Sequence, residues 1–275
     1  MDTPVFYSDL KIVPVADIKL QEFVQKGRMR TLAEAIKKEG ILKNPPIVTN
    51  FFNDTYLHLD GANRITAVSL LKYKNCLVQI VDYGDPTHVH LSSWSQLTRV
   101  NKEQFLSSIK RLKEVSIKEV KSFNHRSLFR PYIICVVVFA DGTVYEILAK
   151  TPFTDLVTRM GEVVNVYAGT FVERVYSGSP WTDESIKIRF ERYADNNMFI
   201  AFPTFSPQQV MTLVDRGVLM PAGITRHVVY RRKLNVDLPL EYLAITPVQK
   251  ANEKLQQFLQ HRTVRLYEEP VIYFE

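Results

Sequence analysis

The N-terminal part of the chain alternates short hydrophobic runs with stretches of helical periodicity, and this alternation constrains the fold more than any other feature. Residues 11–15 have the β-branched composition of a strand. Apolar residues then recur at the i, i+3, i+4, i+7 spacing of a helix across residues 29–36, and Gly40 is placed to end that helix. Residues 47–49 and 56–60 are predicted strands, so the region predicts a small mixed sheet.

A predicted strand, an Asp-Gly pair and a second helix follow one another directly in this region. The period of two places Leu57 and Leu59 on one face of the strand, and it places His58 and, at the strand's end, Asp60 on the opposite, polar face. Gly61 permits a tight exit from the strand, and the next helix is predicted to begin within residues 62–64. Asp60 is therefore expected to point away from the core.

A change of composition at residues 84–86 predicts a domain boundary, because the compact alternation ends there and polar, charged sequence follows. Further along, residues 133–148 predict a hairpin around an Asp-Gly turn, and residues 206–217 predict a helix with a capping box. The predicted fold class is mixed α+β. We assign a first domain to residues 1–84 and a second domain to residues 85–275.

The composition favours a globular, cytoplasmic protein without a membrane segment. Of the 275 residues, 46% are hydrophobic, which is enough for one or two buried cores, and no run of eighteen uncharged apolar residues occurs. The N-terminus lacks the layout of a secretory signal. Cys76 and Cys135 lie in apolar runs, so they are predicted to be buried thiols rather than metal ligands or disulfide partners.

A net charge of +6 favours anionic partners, among which nucleotides, phosphorylated metabolites and nucleic acid all qualify. Part of the excess lies between Lys110 and Lys121, where Glu114 and Glu119 interrupt the basic residues at helix-like spacing. Pairing between residues four apart predicts a solvated helix face there, with a DNA-contacting patch as the alternative.

The junction at residues 60–64 is suited to binding phosphate, because the free N–H groups and the dipole of a helix N-terminus favour an anion. Arg64 could add a forked contact, and Asp60 could hold Mg²⁺ or orient a hydroxyl group. The same pattern also occurs as a simple turn with a helix cap. Chemistry alone leaves both interpretations open.

Two segments resemble known proteins. Across residues 10–83 the succession KIVPV, a helix ending at Gly40, PPIV, YLHLDG, an arginine, a helix and a strand resembles the ParB/sulfiredoxin-like superfamily. Residues 218–226 (VLMPAGITR), followed by LNV and LPL within residues 234–240, resemble the free L-serine kinases, whose members include one encoded with siderophore biosynthesis genes.

This resemblance implies a kinase that makes O-phospho-L-serine from L-serine and an adenine nucleotide, ATP or ADP, with Mg²⁺, for siderophore or amino-acid biosynthesis. Glu22, shortly after the first strand, matches the position of the family's catalytic base. Asp60 would orient serine or Mg²⁺, and the phosphates would be held by Gly61, Ala62, Asn63 and Arg64. The second domain would close a cleft in which Glu22 faces these phosphates.

The resemblance also implies a serine-binding set in the second domain. Thr225, Arg226 and His227 match a segment that approaches the substrate, where a guanidinium can clamp the serine carboxylate. Trp94 aligns with a tryptophan that would wall the pocket, and its other interpretation is an aromatic that seals the domain junction.

One departure from the family pattern weakens the kinase interpretation. Free L-serine kinases commonly carry histidine between the glycine and arginine of this loop, where the present chain has Ala62 and Asn63. Backbone donors survive this change more readily than the orientation of metal or substrate. The alternative function is a ParB-like DNA-binding regulator responsive to nucleotide or haem, although no helix-turn-helix is evident. The sequence gives no indication of the oligomeric state.

Overall fold

The structure is a computed structural model, and it describes residues 8–24, 26–170 and 172–266. Helices and strands both contribute, which confirms the predicted α+β class. The strands are β1 (Leu10–Pro14), β2 (Ile18–Lys19), β3 (Ile41–Leu42), β4 (Ile47–Asn50), β5 (Tyr56–Asp60), β6 (Asn75–Ile80), β7 (Val89–Ser93), β8 (Ser95–Thr98), β9 (Val115–Val120), β10 (Ile133–Phe139), β11 (Val144–Ala149), β12 (Val172–Val175), β13 (Met198–Ala201), β14 (Thr225–Val229) and β15 (Leu238–Pro239). The helices are α1 (Lys26–Glu39), α2 (Ala62–Leu70), α3 (Lys102–Lys110), α4 (Phe153–Val166), α5 (Asp183–Arg192), α6 (Pro207–Asp215) and α7 (Val248–Gln260).

The chain divides into two compact units. The first contains the described residues up to Leu20, Val24–Val89 and those from Val229 onward, and the second contains Gln21–Phe23 and His90–Val228. The sequence analysis put the boundary at residue 84 and assigned everything after it to the second domain. The structure differs in returning the C-terminal segment to the first unit.

The first unit is built on a five-stranded mixed sheet in the order β1-β6-β4-β5-β2. β6 pairs antiparallel with β1 and parallel with β4, while β5 pairs antiparallel with β4 and parallel with β2. α1 and α2 pack against each other. α1 ends at Gly40, whose φ of 70° is the left-handed geometry that ends helices, as predicted. The predicted strands and helices of this region are therefore present.

The C-terminal segment completes the core of the first unit. Leu238, Leu243 and Leu255 are fully buried there with residues of β1, β6 and α2. α7 packs on β1, and the side chain of Asn252 exchanges two 2.8 Å hydrogen bonds with the backbone N–H and C=O of Ile12. These bonds satisfy the outward-facing N–H and C=O groups of Ile12 on the edge strand β1, as a neighbouring strand would.

The second unit is built on a six-stranded sheet in the order β12-β8-β13-β10-β11-β9, with every neighbouring pair antiparallel. The predicted hairpin is β10 and β11, which turn at Gly142. The predicted capping box is present at α6, where Ser206 and Gln209 exchange side-chain and backbone hydrogen bonds. Buried aromatic residues, among them Phe199 and Trp181, pack together in the core.

Two local predictions were wrong. The basic run does not form one helix, because α3 ends at Lys110 and the chain turns at Glu114, with φ of 60°, into the edge strand β9. Of its charged residues, Lys118 and Glu119 lie on this edge strand, where charged side chains discourage pairing with other chains. His58, predicted on a polar strand face, is fully buried. The two cysteines are buried free thiols, as predicted.

Within the part of the chain that the structure describes, no helix has both the length and the apolar character needed to span a lipid bilayer.

Candidate functional site

The Asp-Gly junction of the first unit lies where β5 ends and α2 begins. Gly61 has a φ of 97°, a left-handed conformation that glycine adopts at little cost. A Cβ at this position would lie 2.9 Å from Arg64 Nη2 and 3.0 Å from Pro46 Cβ, so the close packing also requires a glycine. The sequence therefore fixes a sharp turn that leaves the first N–H groups of α2 at the end of the strand.

Asp60 is paired with two arginines. Its Oδ2 accepts a 2.8 Å hydrogen bond from Arg64 Nη2 and also forms an ion pair with Arg232 Nη2. Arg64 comes from the first turn of α2, whereas Arg232 arrives from the segment that follows β14. Two cations around one carboxylate leave an excess positive charge beside the start of α2.

Arg64 is held in place by two backbone carbonyls in addition to Asp60. Its Nη1 donates to the backbone carbonyls of Asn44, at 3.0 Å, and Pro45, at 3.2 Å. Burial lowers the pKa of Arg64, although the guanidinium stays charged at any physiological pH because arginine begins from so high a value. Arg64 thus ties the loop before β4 to Asp60.

Ala62 and Asn63 occupy the first turn of α2. Ala62 is buried, and Thr66 donates a 2.9 Å hydrogen bond to its carbonyl. The Oδ1 atom of Asn63 is buried and has no hydrogen-bond partner among the described residues. An unsatisfied buried acceptor is costly, so Asn63 is suited to accept a hydrogen bond from a bound molecule.

The surroundings of Asp60 do not fit the predicted magnesium site. No group of three or more metal-binding side chains occurs among the residues that the structure describes. The Oδ2 of Asp60 is occupied by Arg64 and Arg232, whose charges oppose a divalent cation at that atom. Asp60 therefore fits a role in positioning arginines better than a role as a metal ligand.

Glu22 belongs to the second unit, where a three-residue stretch of chain pairs with the segment before β14. Met220 N donates to Gln21 O at 2.7 Å, and Phe23 N donates to Met220 O at 3.3 Å. These bonds form a parallel bridge between Glu22 and Met220. The backbone on both sides of Glu22 is fixed, which positions its side chain.

The Glu22 carboxylate lies in a largely buried environment. Burial raises its pKa, while the hydrogen bond from Gly223 N, 3.2 Å from Oε2, and the charge of Arg174 act in the opposite direction. Burial is the largest of these effects. A carboxylate with a raised pKa binds a proton more readily than an ordinary glutamate, as a general base requires.

Gly223 is the contact point between Glu22 and Arg174. Its φ is 77°, and a Cβ there would lie only 2.3 Å from Arg174 Nη2. Its carbonyl accepts a 3.1 Å hydrogen bond from Gln96 Nε2. The absence of a side chain at this position lets the Arg174 guanidinium lie directly on the backbone that binds Glu22.

Arg226 lies against two aromatic rings. Its guanidinium carbon is 3.8 Å from the centre of the Tyr176 ring and 5.0 Å from that of Trp94. The two rings meet edge to face at 6.5 Å. Backbone hydrogen bonding reinforces this arrangement, since Trp94 N donates to Ile224 O at 2.8 Å. Cation–π contacts orient the guanidinium without using its N–H donors.

Thr225 and His227 flank this arginine on β14. Thr225 is buried. Burial lowers the pKa of His227 to about 3, so its imidazole is neutral at physiological pH. Its Nδ1 lies 3.5 Å from Nε2 of the buried Gln21. His227 is therefore suited to hydrogen bonding rather than to carrying charge.

The predicted site residues fall into two groups. One group lies in the first unit at residues 60–64, and the other lies in the second unit and comprises Glu22, Trp94 and residues 225–227. Sequence reasoning missed Arg232, Arg174 and Tyr176 and gave Gly223 no role, although it quoted this glycine. A lone arginine or tyrosine carries no local signal of its tertiary partners.

Comparison with known proteins identifies relatives that match most of the chain. No family model matches the chain. The chain is 23% identical over 273 residues to the ATP-dependent L-serine kinase SbnI of Staphylococcus aureus, with 98% of both chains covered. It is 26% identical over 245 residues to an ATP-dependent L-serine kinase of Staphylothermus marinus, covering 87% of this chain and 93% of the relative. The chain is related to the free L-serine kinases. The predicted resemblance to the free L-serine kinases is confirmed.

Solved structures of free L-serine kinases share the fold. A C-terminally truncated SbnI from Staphylococcus aureus has a TM-score of 0.74 at 20% identity, covering 94% of this chain and 98% of that one. A mutant free serine kinase in complex with ADP has a TM-score of 0.70 at 19% identity, covering 88% and 97%. The arrangement of strands and helices is thus common to these proteins.

Proposed function

We propose that this chain is a free L-serine kinase, which transfers a phosphoryl group from an adenine nucleotide to the hydroxyl group of L-serine. The observation that carries the proposal is the match to an ATP-dependent L-serine kinase over 98% of both chains. The described residues include a suitable group for each chemical requirement of the reaction. The product is O-phospho-L-serine.

The first unit is the proposed nucleotide-binding unit. Phosphate oxygens accept hydrogen bonds from the backbone N–H groups at the start of α2, within residues 61–64, and the helix dipole favours their charge. The excess positive charge around Asp60 supports the same assignment. Asp60 acts by holding Arg64 in place, and Asn63 offers its buried Oδ1 as an acceptor for the ligand.

The second unit is the proposed serine-binding unit. Arg226 keeps its N–H donors free of the aromatic stack and binds the serine carboxylate through its fork. Trp94 and Tyr176 form the wall that orients this guanidinium. Thr225 and the neutral imidazole of His227 provide hydrogen bonds to the polar groups of the amino acid.

Glu22 is the proposed general base. It takes the proton from the serine Oγ as that oxygen forms a bond to the terminal phosphorus of the nucleotide. The bond from this phosphorus to the bridging oxygen breaks, and its electron pair leaves with the nucleotide, giving ADP from ATP or AMP from ADP. The raised pKa of Glu22 makes it a stronger base than an exposed carboxylate.

Several finer assignments stay predictions. Mg²⁺, when bound with the nucleotide, offsets the charge of the phosphates. Asp60 does not fit the role of its ligand, because it is already paired with two arginines. Haem binding stays a prediction, and the two buried cysteines are not placed to ligate its iron. A ParB/sulfiredoxin-like origin of the first unit and a siderophore or amino-acid pathway are consistent with the kinase proposal.

The decisive experiment measures phosphoserine directly. Purified protein is incubated with L-serine, Mg²⁺ and either ATP or ADP, and O-phospho-L-serine is quantified by mass spectrometry. We expect product with at least one donor and none when L-alanine, which lacks the hydroxyl group, replaces L-serine. Loss of nucleotide phosphate at the same rate with both amino acids, and no phosphoserine, would refute the kinase proposal.

The raised pKa of Glu22 predicts how the reaction depends on pH. A base acts only in its deprotonated form, so kcat/KM should fall as the pH drops through the pKa of Glu22. That midpoint should lie above 4.5, the ordinary value for glutamate, because burial disfavours the charged form. The measurement is kcat/KM for serine across a pH series in which the protein stays folded. An acid limb that persists unchanged in Glu22→Gln would assign it to another group.

A further inference from the structure

The segment that follows β14 is unusually well fixed for a loop. Arg231, Asn235 and Asp237 have φ values of 51°, 53° and 52°, in the left-handed region that non-glycine residues seldom adopt. Each such residue costs free energy, and it persists only where its surroundings hold it in place. A loop that keeps several of them therefore has a defined conformation.

Gln79 holds the backbone on both sides of Arg232. Its Nε2 donates to Arg231 O at 3.2 Å, and its Oε1 accepts from Lys233 N at 3.0 Å. The Gln79 side chain is buried on β6, and its Nε2 also donates to Asp9 Oδ2 at 2.8 Å. One fixed amide thus binds the residues before and after Arg232.

The far end of the loop is tied to the segment before β4. Asn235 N donates to Asn44 Oδ1 at 2.8 Å, and Asp237 N donates to Lys43 O at 3.2 Å. The carbonyl of Asn44 also accepts from Arg64. The loop and the Asp60 cluster therefore share a common support, and Arg232 has little freedom to move away from Asp60.

The two arginines on Asp60 differ in how many of their donors are already used. Arg64 has three acceptors, namely Asp60 Oδ2 and the carbonyls of Asn44 and Pro45, and its side chain is 20% exposed. The described residues give Arg232 a single acceptor, Asp60 Oδ2, and its side chain is 36% exposed. Arg232 is the arginine with unused N–H groups that solvent or a ligand can reach.

We propose that Arg232 is a phosphate-binding residue for the nucleotide and that Gln79 is its positioning residue. The inference rests on the proposed function, since it takes the ligand to be an adenine nucleotide. The unused N–H groups of Arg232 donate to phosphate oxygens beside the start of α2, while Asp60 stays paired with Arg64. Charge-assisted contacts of a guanidinium fork give both affinity and orientation to a phosphate.

The test compares Arg232→Gln with Lys233→Gln. The control removes the same charge from the neighbouring residue, a lysine that pairs with Asp9. Binding of ADP and of adenosine is measured by calorimetry without serine. We expect Arg232→Gln to lower the affinity for ADP by about 10- to 100-fold and the affinity for adenosine by less than about 2-fold. Lys233→Gln should leave ADP binding within about 2-fold.

Two further variants separate a direct contact from a change of fold. Arg232→Lys keeps the charge but loses the fork, so it should bind ADP with intermediate affinity while its melting temperature stays that of the parent. Gln79→Leu should weaken ADP binding and spare adenosine binding, because the loop loses its support. Equal ADP affinity in Arg232→Gln and the parent overturns the inference, as does equal loss of ADP and adenosine.

The same experiment keeps this inference distinct from the kinase proposal. If the parent protein makes no phosphoserine but loses ADP binding in Arg232→Gln, the phosphate-binding role stands and the kinase proposal fails. If phosphoserine forms normally in Arg232→Gln with unchanged nucleotide KM, the kinase proposal stands and the role of Arg232 is refuted.

Discussion

Glu22→Gln should lower the turnover of L-serine by about 10²- to 10⁴-fold, the usual contribution of a general base. Glutamine keeps the size and the hydrogen bond from Gly223 N but cannot accept the serine proton. Since Glu22 is proposed to act on the serine hydroxyl group and not to contact the nucleotide, ADP affinity should change by less than about 3-fold. Steady-state kinetics and calorimetry measure the two quantities.

The matched control for this experiment is Glu173→Gln. Glu173 is another partly buried glutamate of the second unit, on the same strand as Arg174. Its substitution removes one negative charge without touching Gly223 or β14, so turnover should stay within about 2-fold of the parent. Normal turnover in Glu22→Gln would remove this glutamate from the mechanism.

Gly223→Ala should destabilise the second unit by about 2 to 4 kcal/mol, because two penalties add. The alanine would have to adopt a left-handed backbone conformation, with φ of 77°. Its Cβ would also overlap the Arg174 guanidinium, at 2.3 Å. Moving Arg174 also withdraws a positive charge that acts on Glu22, so turnover should fall by about 10- to 100-fold. Thermal unfolding and phosphoserine formation are the measurements.

Gly142→Ala isolates the two penalties from each other. Gly142 has a comparable φ of 86° in the turn between β10 and β11, but a Cβ there would meet no atom within 4 Å. Its substitution should cost about 1 to 2 kcal/mol and leave turnover unchanged. If the two alanine variants are equally stable and equally active, the contact between Arg174 and Gly223 contributes to neither stability nor turnover.

The features that the sequence predicted well are those set by neighbouring residues. The turn at Gly61, the capping box at Ser206 and the hairpin at Gly142 each depend on a few consecutive side chains, and each is present. Glu22 and Arg226 were found through resemblance rather than through chemistry. Their proposed roles stay predictions until the variants are measured.

What the sequence could not predict depends on contacts between distant segments. Arg232 reaches Asp60 only because Gln79 and Asn44 fix a loop near the end of the chain. The basic run misled because charges four residues apart suit a helix, whereas the pairing of β9 with β11 decides the structure there. Local propensity is a weak guide wherever a sheet edge competes for the same residues.

The return of the C-terminal segment to the first unit has a consequence for the order of synthesis. Leu238, Leu243 and Leu255 complete a core whose other residues are translated far earlier. Residues 90–228 can gather most of their partners while translation continues, but the first unit, whose sheet precedes them in the chain, must wait for α7. The proposed nucleotide-binding unit is thus begun before the second unit and completed after it.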